Sequence, residues 1–259
     1  MSDSKSDPEA HDDGYFGETV ARHYDEGSPE RFSAEELDPT VDLLAELAGD
    51  GRALELAVGT GRVALPLAAR GVEVAGIDLS RAMVARLRAK PHGDAIAVTV
   101  GDMATTRVDG EFSLVYLVFN TINNLVTQDA QVDCFCNAAA HLAPGGRFLV
   151  ETLVPDLRRL PPGERYVAFS VSDEHMGIEE YDVVNQRSIS HHLWLVDGVG
   201  RRNAVPFRYA WPAEFDLMAR IAGLRLESRW GDWRRSPFTA ESDRHVSVWV
   251  KPEGATDQV

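Results

Sequence analysis

The sequence predicts an α/β protein built on a parallel, doubly wound sheet. Short apolar runs alternate with helix-like runs over residues 52–154, which is the pattern of consecutive β-α-β units. The first of these runs, "LELAVGTGR" at 54–62, is an apolar strand that leads directly into a glycine turn. Two runs near the end of the chain, 225–230 and 245–251, predict an antiparallel pair that completes the sheet.

Residues before the first strand divide into a tail and two helices. Residues 1–13 are polar, acidic and without periodicity, so we expect a disordered tail. A first helical segment is predicted from Tyr15 to Tyr24, followed by a loop through residues 28–29. A second helix is expected to begin with Asp38 as its cap and Pro39 at its first position, and to end at Gly49.

The core elements follow from hydrophobic runs and their boundary residues. Ser80 is placed to cap the helix after the second strand, and Pro144-Gly145-Gly146 predicts a turn before the fifth strand. The predicted strands are 52–58, 72–80, 95–100, 112–120 and 147–154, and the predicted helices are 62–70, 81–90 and 129–143.

The character of the sequence changes over residues 155–209. Four β-rich runs, 164–172, 177–186, 187–196 and 201–210, are separated by Gly, Asp and Asn, which predicts an antiparallel meander inserted after the fifth strand. A helix over 211–224 and the closing strand pair then complete the core over 210–252, and residues 253–259 form a tail.

Composition restricts the class of protein. The chain has 259 residues, of which 44% are hydrophobic and 26% charged, without an apolar run long enough for a membrane span or a signal peptide. We therefore expect a cytoplasmic protein that does not bind membranes. The formal net charge of −15 disfavours nucleic acid, because binding a phosphate backbone relies on clustered Lys and Arg. Cys134 and Cys136 lie two apart in a predicted helix, which disfavours both a disulfide and a metal pair.

The glycine turn indicates a cofactor site. Gly59 and Gly61 lack side chains that would hold a ligand away from the backbone amides and the following helix N-terminus. The stretch 59–64 satisfies the dinucleotide pattern G-x-G-x-x-G/A, and Asp78 at the end of the second strand is placed for a ribose hydroxyl. The pattern alone leaves open which nucleoside cofactor binds.

Three further features give the chain a family resemblance. Glu55 begins an E-x-A-x-G-x-G sequence, Asp102 and Met103 follow the third strand, and "LAPGG" precedes the fifth. From about Tyr15 to its end, the chain resembles the class I S-adenosylmethionine-dependent methyltransferases. The resemblance implies a Rossmann-like, seven-stranded sheet with an antiparallel last strand. Ala57 departs from the glycine that this family usually has there.

The resemblance implies a role for each matching residue. Glu55 would hold the methionine amino group of S-adenosylmethionine, and Asp78 would accept from both ribose hydroxyls. Asp102 would accept from the adenine amino group, with Met103 against the ring. The other implied cofactor contacts are Ala57, Gly59, Gly61, Arg62, Leu79 and Phe119. The expected product is S-adenosylhomocysteine.

The N-terminal segment and the meander suggest where an acceptor binds. Residues 14–50 look like the helical lid of small-molecule members of the family, with Tyr15 and Tyr24 on it. "YFGETVARHYD" and the meander resemble antibiotic-pathway amine N-methyltransferases of actinomycetes. Phe119 follows the fourth strand at the edge where open α/β sheets bind ligands. The base-modifying members carry an Asn or Asp with Pro-Pro-aromatic there, which "FNTINN" lacks, so a small-molecule acceptor is expected.

Two adjacent histidines, His191 and His192, lie in a predicted strand of the meander. Side chains alternate along a strand, so at most one of them faces the cleft and a two-histidine metal site is disfavoured. The histidine that faces the cleft is a candidate general base. No metal is expected, and the sequence does not indicate an oligomeric state.

These features predict methyl transfer to a small amine by in-line displacement. A phenol or alcohol acceptor is the alternative, and it would require a base from among His191, His192, Tyr15 and Tyr24. Two further hypotheses are a nicotinamide-dependent reductase and a non-catalytic protein that binds S-adenosylmethionine.

Overall fold

The computed structural model describes residues 14–25, 33–196 and 199–254. The predicted tail 1–13, the loop at 28–29 and the end of the predicted C-terminal tail lie outside these ranges. The strands are β1 Ala53–Leu56, β2 Val74–Asp78, β3 Ala97–Val100, β4 Phe112–Leu117, β5 Leu142–Leu153, β6 Tyr166–Val171, β7 His175–Asp182, β8 Arg187–Val196, β9 Val199–Arg208, β10 Arg225–Trp230 and β11 Arg244–Val250. The helices are α1 Glu18–His23, α2 Ala34–Ala48, α3 Ala64–Ala69, α4 Arg81–Arg88, α5 Gln128–His141 and α6 Pro212–Ile221.

A seven-stranded mixed sheet forms the centre of the fold. Its order is β10-β11-β5-β4-β1-β2-β3, and β11 runs antiparallel to both of its neighbours while the other core pairs are parallel. The predicted fold class is therefore confirmed, including the antiparallel last strand.

Helices cover both faces of this sheet. Phe135 of α5 and Phe215 of α6 belong to one buried cluster, and Leu44 of α2, Leu67 of α3 and Leu87 of α4 belong to the other. All five side chains are fully buried. Apolar burial on both faces explains why β1, β2 and β4 read as nearly continuous apolar runs.

Helix α2 begins earlier than the sequence analysis predicts. Ser33 is the N-cap, and its side chain accepts a hydrogen bond from the amide of Glu36. Pro39 therefore lies inside the helix rather than at its first position, and Asp38 is not the cap. The missed signal is the Ser-x-x-Glu pattern at 33–36, which is the sequence of a capping box.

The prediction of a turn at Pro144-Gly145-Gly146 is also wrong, because β5 begins at Leu142 and passes through these residues. Phe112 pairs with Leu142, whereas Leu114 pairs with Arg147, so the segment forms a bulge against β4. Gly145 has a φ of 79° there, and its amide donates to the carbonyl of Lys251 beside β11.

The predicted meander forms a second, four-stranded antiparallel sheet, in the order β6-β7-β8-β9. Arg208 at the end of β9 is buried and joins this sheet to the core, because it donates to Gln131 of α5 and to Glu214 of α6. In the part of the chain that the structure describes, no helix has both the length and the apolar character to cross a membrane.

Candidate functional site

A cavity of about 650 Å³ lies at the carboxyl edge of the sheet, beyond the ends of β1, β4 and β5. Its walls come from the lid, the loops after β1 and β4, the end of β5, and the meander. Open α/β sheets place their ligands at this edge. Of the predicted catalytic residues, the cavity is lined by Tyr15, Tyr24, Phe119 and His192.

The turn after β1 is shaped by three residues with left-handed backbone angles. The φ angles of Ala57, Gly59 and Gly61 are 57°, 56° and 78°. A Cβ on Gly59 would meet no atom within 4 Å, whereas one on Gly61 would lie 3.0 Å from Leu87 Cγ. Gly59 therefore leaves open space above the turn, and Gly61 allows the turn to pack against α4. Ala57 adopts this conformation at a cost of about 1–2 kcal/mol relative to a right-handed backbone.

Asp78 at the end of β2 holds the glycine turn in place. Its Oδ2 accepts from the amide of Gly59 at 2.6 Å, and its Oδ1 accepts from the amide of Ser80 at 2.8 Å. A carboxylate has about four acceptor sites, so ribose hydroxyls remain compatible with these two bonds. The buried carboxylate thus has a structural role in addition to the one that the resemblance implies.

Glu55 is buried within β1, below the turn. The hydroxyl of Tyr116 on β4 donates to its Oε2 at 2.9 Å. Burial raises the pKa of Glu55 to about 8, although the Tyr116 hydrogen bond and the nearby Arg62 oppose this rise. Glu55 therefore favours its protonated form at neutral pH, and a further cationic group beside it would favour ionisation.

The residues predicted to hold adenine divide into exposed and buried side chains. Asp102 is exposed, and its Oδ1 accepts from the amide of Ala104 at 2.8 Å. Leu79 is also exposed, at the end of β2. Met103, in contrast, belongs to the larger buried cluster, so its side chain is part of the core.

Phe119 and Arg62 form one wall of the cavity. Phe119 has a φ of 62°, a strained conformation for an aromatic residue, and the guanidinium of Arg62 lies 4.1 Å from its ring centroid. The amide of Phe119 donates to Glu151 Oε2 at 2.6 Å. This contact holds the strained backbone after β4 against β5.

Glu151 is a site residue that the sequence analysis missed. It lines the cavity with only 5% of its surface exposed, and burial raises its pKa. The available signal was an acidic residue inside the otherwise largely apolar run 147–154, whereas Glu55 was identified from the E-x-A-x-G-x-G sequence.

The lid is tied to the core by polar contacts at both ends. Asn203 on β9 donates to the hydroxyl of Tyr15 at 2.8 Å, and Ser80 donates to the carbonyl of Phe16 at 2.7 Å. Asp25 accepts from the hydroxyl of Thr60 in the glycine turn and pairs with Lys90, each at 2.6 Å. The lid therefore contacts both the turn and the meander.

The two histidines of β8 have different surroundings, as strand alternation requires. His192 lines the cavity, and its Nδ1 lies 3.0 Å from Nε2 of His175 on β7. His191 is not among the cavity-lining residues, and its Nε2 lies 2.9 Å from a carboxylate oxygen of Glu180. Within residues 14–25, 33–196 and 199–254, no group of three or more His, Cys, Asp or Glu is arranged to hold a metal.

These residues fit the predicted cofactor. The turn after β1 offers open space at Gly59, the exposed side chain of Asp102 follows β3, and Glu55 supplies a buried acid whose ionised form a cationic group would favour. The fit rests on the donor and acceptor chemistry of the side chains and on the shape of the turn.

The known proteins to which this chain is similar are methyltransferases. Residues 53–146 match a family model described as a methyltransferase domain. The chain is similar to the CcbJ methyltransferase from Streptomyces caelestis, with 36% identity over 93% of this chain and 99% of that chain, and a TM-score of 0.81. It is 29% identical over 237 residues to the cypemycin N-terminal methyltransferase of a Streptomyces species, which covers 87% of this chain and 96% of the relative.

A third relative shares the fold at lower identity. The amino pentose methyltransferase CalS10 from Micromonospora echinaspora, solved with S-adenosylmethionine bound, is 22% identical to this chain. The match covers 88% of this chain and 96% of that chain, with a TM-score of 0.66.

Proposed function

Because this chain belongs to the class I S-adenosylmethionine-dependent methyltransferases, we propose that it methylates the nitrogen of a small-molecule amine. Family membership decides between the two nucleoside cofactors that the glycine turn left open in favour of S-adenosylmethionine. It also sets aside the nicotinamide-dependent reductase. The proposal concerns the acceptor and the residues that hold the two substrates.

The observation that carries the proposal is the lining of the cavity. Aromatic rings line it from the lid, the loop after β4, the meander and the loop between β10 and β11, and the side chain of Glu151 also lines it. Aromatic faces favour a cationic or amine ligand over a neutral hydroxyl, and the carboxylates of Glu36 and Glu151 balance the two arginines of the lining, Arg62 and Arg244. The aromatic residues are Tyr15, Phe16, Tyr24, Phe119, Phe207 and Trp233.

One relative supports nitrogen as the acceptor atom. It is named as an N-terminal methyltransferase, and an N-terminus presents an amine. The net charge of −15 is a further argument, because it attracts amines that are protonated in solution.

The proposed binding roles follow the placement of the side chains. Asp78 and Asp102 would accept hydrogen bonds from the ribose and adenine ends of the cofactor, and Glu55 would face its methionine ammonium. When bound, S-adenosylmethionine supplies a methyl group on a positively charged sulfur. Phe119, with Arg62 against its ring, would orient the acceptor under the lid. Such positioning contributes on the order of 7–11 kcal/mol to rate acceleration.

A hydroxyl acceptor is the second candidate, and His192 is the observation in its favour. This histidine lines the cavity close to the lid, since Asn203, its cross-strand partner on β9, donates to Tyr15. A phenol or alcohol must lose its proton during transfer, and a neutral histidine is a suitable acceptor for it.

Transfer of a radiolabelled methyl group tests the proposal. The protein is incubated with labelled S-adenosylmethionine and glucosamine, alanylalanine or 4-methylphenol, and the methylated atom is identified by NMR. We expect label on the amine of glucosamine or alanylalanine. Label on a hydroxyl alone would favour the second candidate, and cofactor binding by calorimetry without transfer to any acceptor would favour a non-catalytic binder.

A further inference from the structure

Three polar side chains of the meander stand in a row that starts at the cavity. Nδ1 of His192 lies 3.0 Å from Nε2 of His175, and Nδ1 of His175 lies 2.9 Å from the hydroxyl oxygen of Ser170. The three residues come from β8, β7 and β6, respectively. The row therefore crosses three adjacent strands, away from the cavity.

Aromatic rings enclose the row along its length. Trp194 stacks on His175 with a centroid separation of 3.9 Å, and Phe169 packs edge-on against His192 at 5.4 Å. His192 lines the cavity, whereas Ser170 is only half-buried on a strand that is largely exposed. The row thus has one end at the cavity and its other end on a largely exposed strand.

The hydrogen bonds among His192, His175 and Ser170 make the position of each proton depend on the others. When both histidines are neutral, one proton lies between Nε2 of His175 and Nδ1 of His192. If His192 donates this proton, His175 donates to Ser170, and Nε2 of His192 presents a lone pair. When Nε2 of His192 takes up a proton, Nδ1 of His192 can pass its own proton to Nε2 of His175. Nδ1 of His175 can then pass its proton to the hydroxyl of Ser170, which releases one proton.

Methylation of a protonated amine requires that a proton leaves the cavity. An aliphatic amine is mostly protonated at neutral pH and has no lone pair for attack on carbon. One proton must leave the ammonium before the nitrogen–carbon bond forms, while the carbon–sulfur bond breaks and its electron pair stays on sulfur. The methylated product then carries one positive charge, and the removed proton must reach solvent from a cavity covered by the lid.

We propose that Ser170, His175 and His192 form a proton path that deprotonates the bound ammonium and releases its proton at the meander surface. The inference rests on the proposed amine acceptor. His192 would be the catalytic residue, since it faces the cavity, and His175 and Ser170 would act through it. His175 and Ser170 are not part of the binding site predicted from the sequence.

The charges around His192 are compatible with this role. Burial lowers its pKa, and the neighbouring His175 lowers it further, which favours the neutral form of the ring. The titratable groups that face it are His175 and Glu179 on β7, His191 on its own strand, Tyr15 of the lid through Asn203 on β9, and the cavity residues Glu36, Arg62, Glu151 and Arg244. Its neighbours on β6, Phe169 and Ser170, do not titrate.

The pH dependence of single-turnover methyl transfer tests the path. We use the full chain and whichever of glucosamine and alanylalanine the wild type methylates, with His192→Gln, His175→Gln and Ser170→Ala. At pH 7 the loss in rate should be on the order of 100-fold for His192→Gln and smaller for the other two. The difference from wild type should shrink as the pH rises above the pKa of the acceptor amine, because the acceptor then arrives neutral.

A matched control separates the path from general effects on the meander. Ser190 lies on β8, and its hydroxyl bonds to Glu179 rather than to a histidine. Ser190→Ala should therefore retain the wild-type pH profile. A rate ratio between wild type and His175→Gln that stays constant from pH 6 to pH 10, with both proteins folded by circular dichroism, would overturn the proposal.

A measurement without acceptor distinguishes this inference from the proposed function. In ¹⁵N-histidine NMR spectra recorded without acceptor, His175→Gln should change the ring-nitrogen shifts of His192, because the variant removes the imidazole nitrogen that shares a proton with its Nδ1. Unchanged His192 shifts would show that the two rings do not share this hydrogen bond and would overturn the path even if amines are methylated. If the wild type methylates neither amine, the proposed function fails, and the amine-deprotonation role that depends on it fails with it.

Discussion

Glu55 links the stability of the protein to pH, because its folded-state pKa of about 8 lies above its ordinary value of 4.5. Between these two values the unfolded chain ionises while the folded protein keeps the proton. The free energy of unfolding should therefore decrease with rising pH in this window, by up to about 1.4 kcal/mol per pH unit from this group. Below pH 4.5 the contribution is fully present, and by about pH 8 it is lost.

Glu55→Gln isolates this effect, since a neutral amide can still accept from Tyr116. We expect the variant to be more stable than the wild type at pH 8 and similar to it at pH 4.5, as measured by urea denaturation. The comparison with the variant is needed because His245 changes the free energy of unfolding with pH in the opposite direction, since burial lowers its pKa to about 3. A stability difference that does not vary with pH would contradict the buried, protonated state of Glu55.

Asp78 and Asp102 should respond differently to removal of the carboxylate. Asp78→Ala leaves the amides of Gly59 and Ser80 without their acceptor, which costs about 1–3 kcal/mol for each amide that stays buried and unsatisfied. Asp102→Ala should lower the melting temperature less, because its exposed side chain accepts from one amide, that of Ala104, rather than from two.

Both variants should bind S-adenosylmethionine more weakly. Calorimetric titration gives the affinity, and thermal denaturation without ligand gives the stability. If both variants bind the cofactor as tightly as the wild type, the assignment of these carboxylates to the cofactor is wrong.

At the scale of elements, Asp25 fastens the lid to the glycine turn through Thr60 and Lys90. Asp25→Ala removes both contacts and leaves the turn itself intact. We expect faster dissociation of S-adenosylhomocysteine, because the lid segment is held less firmly over the cavity. Stopped-flow dissociation measures this rate, and Asp129→Ala on the first turn of α5 is a control at a distant acidic residue. Equal dissociation rates for wild type and Asp25→Ala would show that this contact does not retain the ligand.

The order and type of the elements could be predicted because each depends on local patterns. The boundaries of α2 and β5 could not, for two physical reasons. Pro39 was assigned to the first turn, although one missing amide donor inside a long, well-buried helix is tolerated. The bulge at 144–146 depends on pairing with β4 and on contacts beside β11, which lies about 100 residues further along the chain.

In the candidate site, too, some residues could be predicted from local sequence and others depend on distant contacts. Glu55, Gly59 and Asp78 follow from a motif whose members lie within 24 residues of one another. The row of Ser170, His175 and His192 depends on strand register, and the position of Asp25 beside Thr60 depends on how the lid packs. Side-chain contacts of this kind could not be predicted from spacing alone.

At the scale of the whole molecule, the net charge of −15 should act on substrate capture. The long-range attraction of a protonated amine weakens as salt shortens the screening length from about 10 Å at 0.1 M to about 3 Å at 1 M. We expect kcat/KM for glucosamine to fall as potassium chloride is raised, with little change in kcat. Initial rates at several salt concentrations measure this, and a salt-independent kcat/KM would show that the net charge does not guide the acceptor.

The meander leaves the core after Leu153 and returns to it at Arg208, so a single continuous segment builds one wall of the cavity. The segment could therefore be exchanged as a unit while the central sheet and its glycine turn are kept. A transplanted segment would need to keep the bonds of Arg208 to Gln131 and Glu214, which dock its last strand, and the contact of Asn203 with Tyr15 of the lid. A change of acceptor would then require recombination at the two ends of this segment rather than redesign of the sheet.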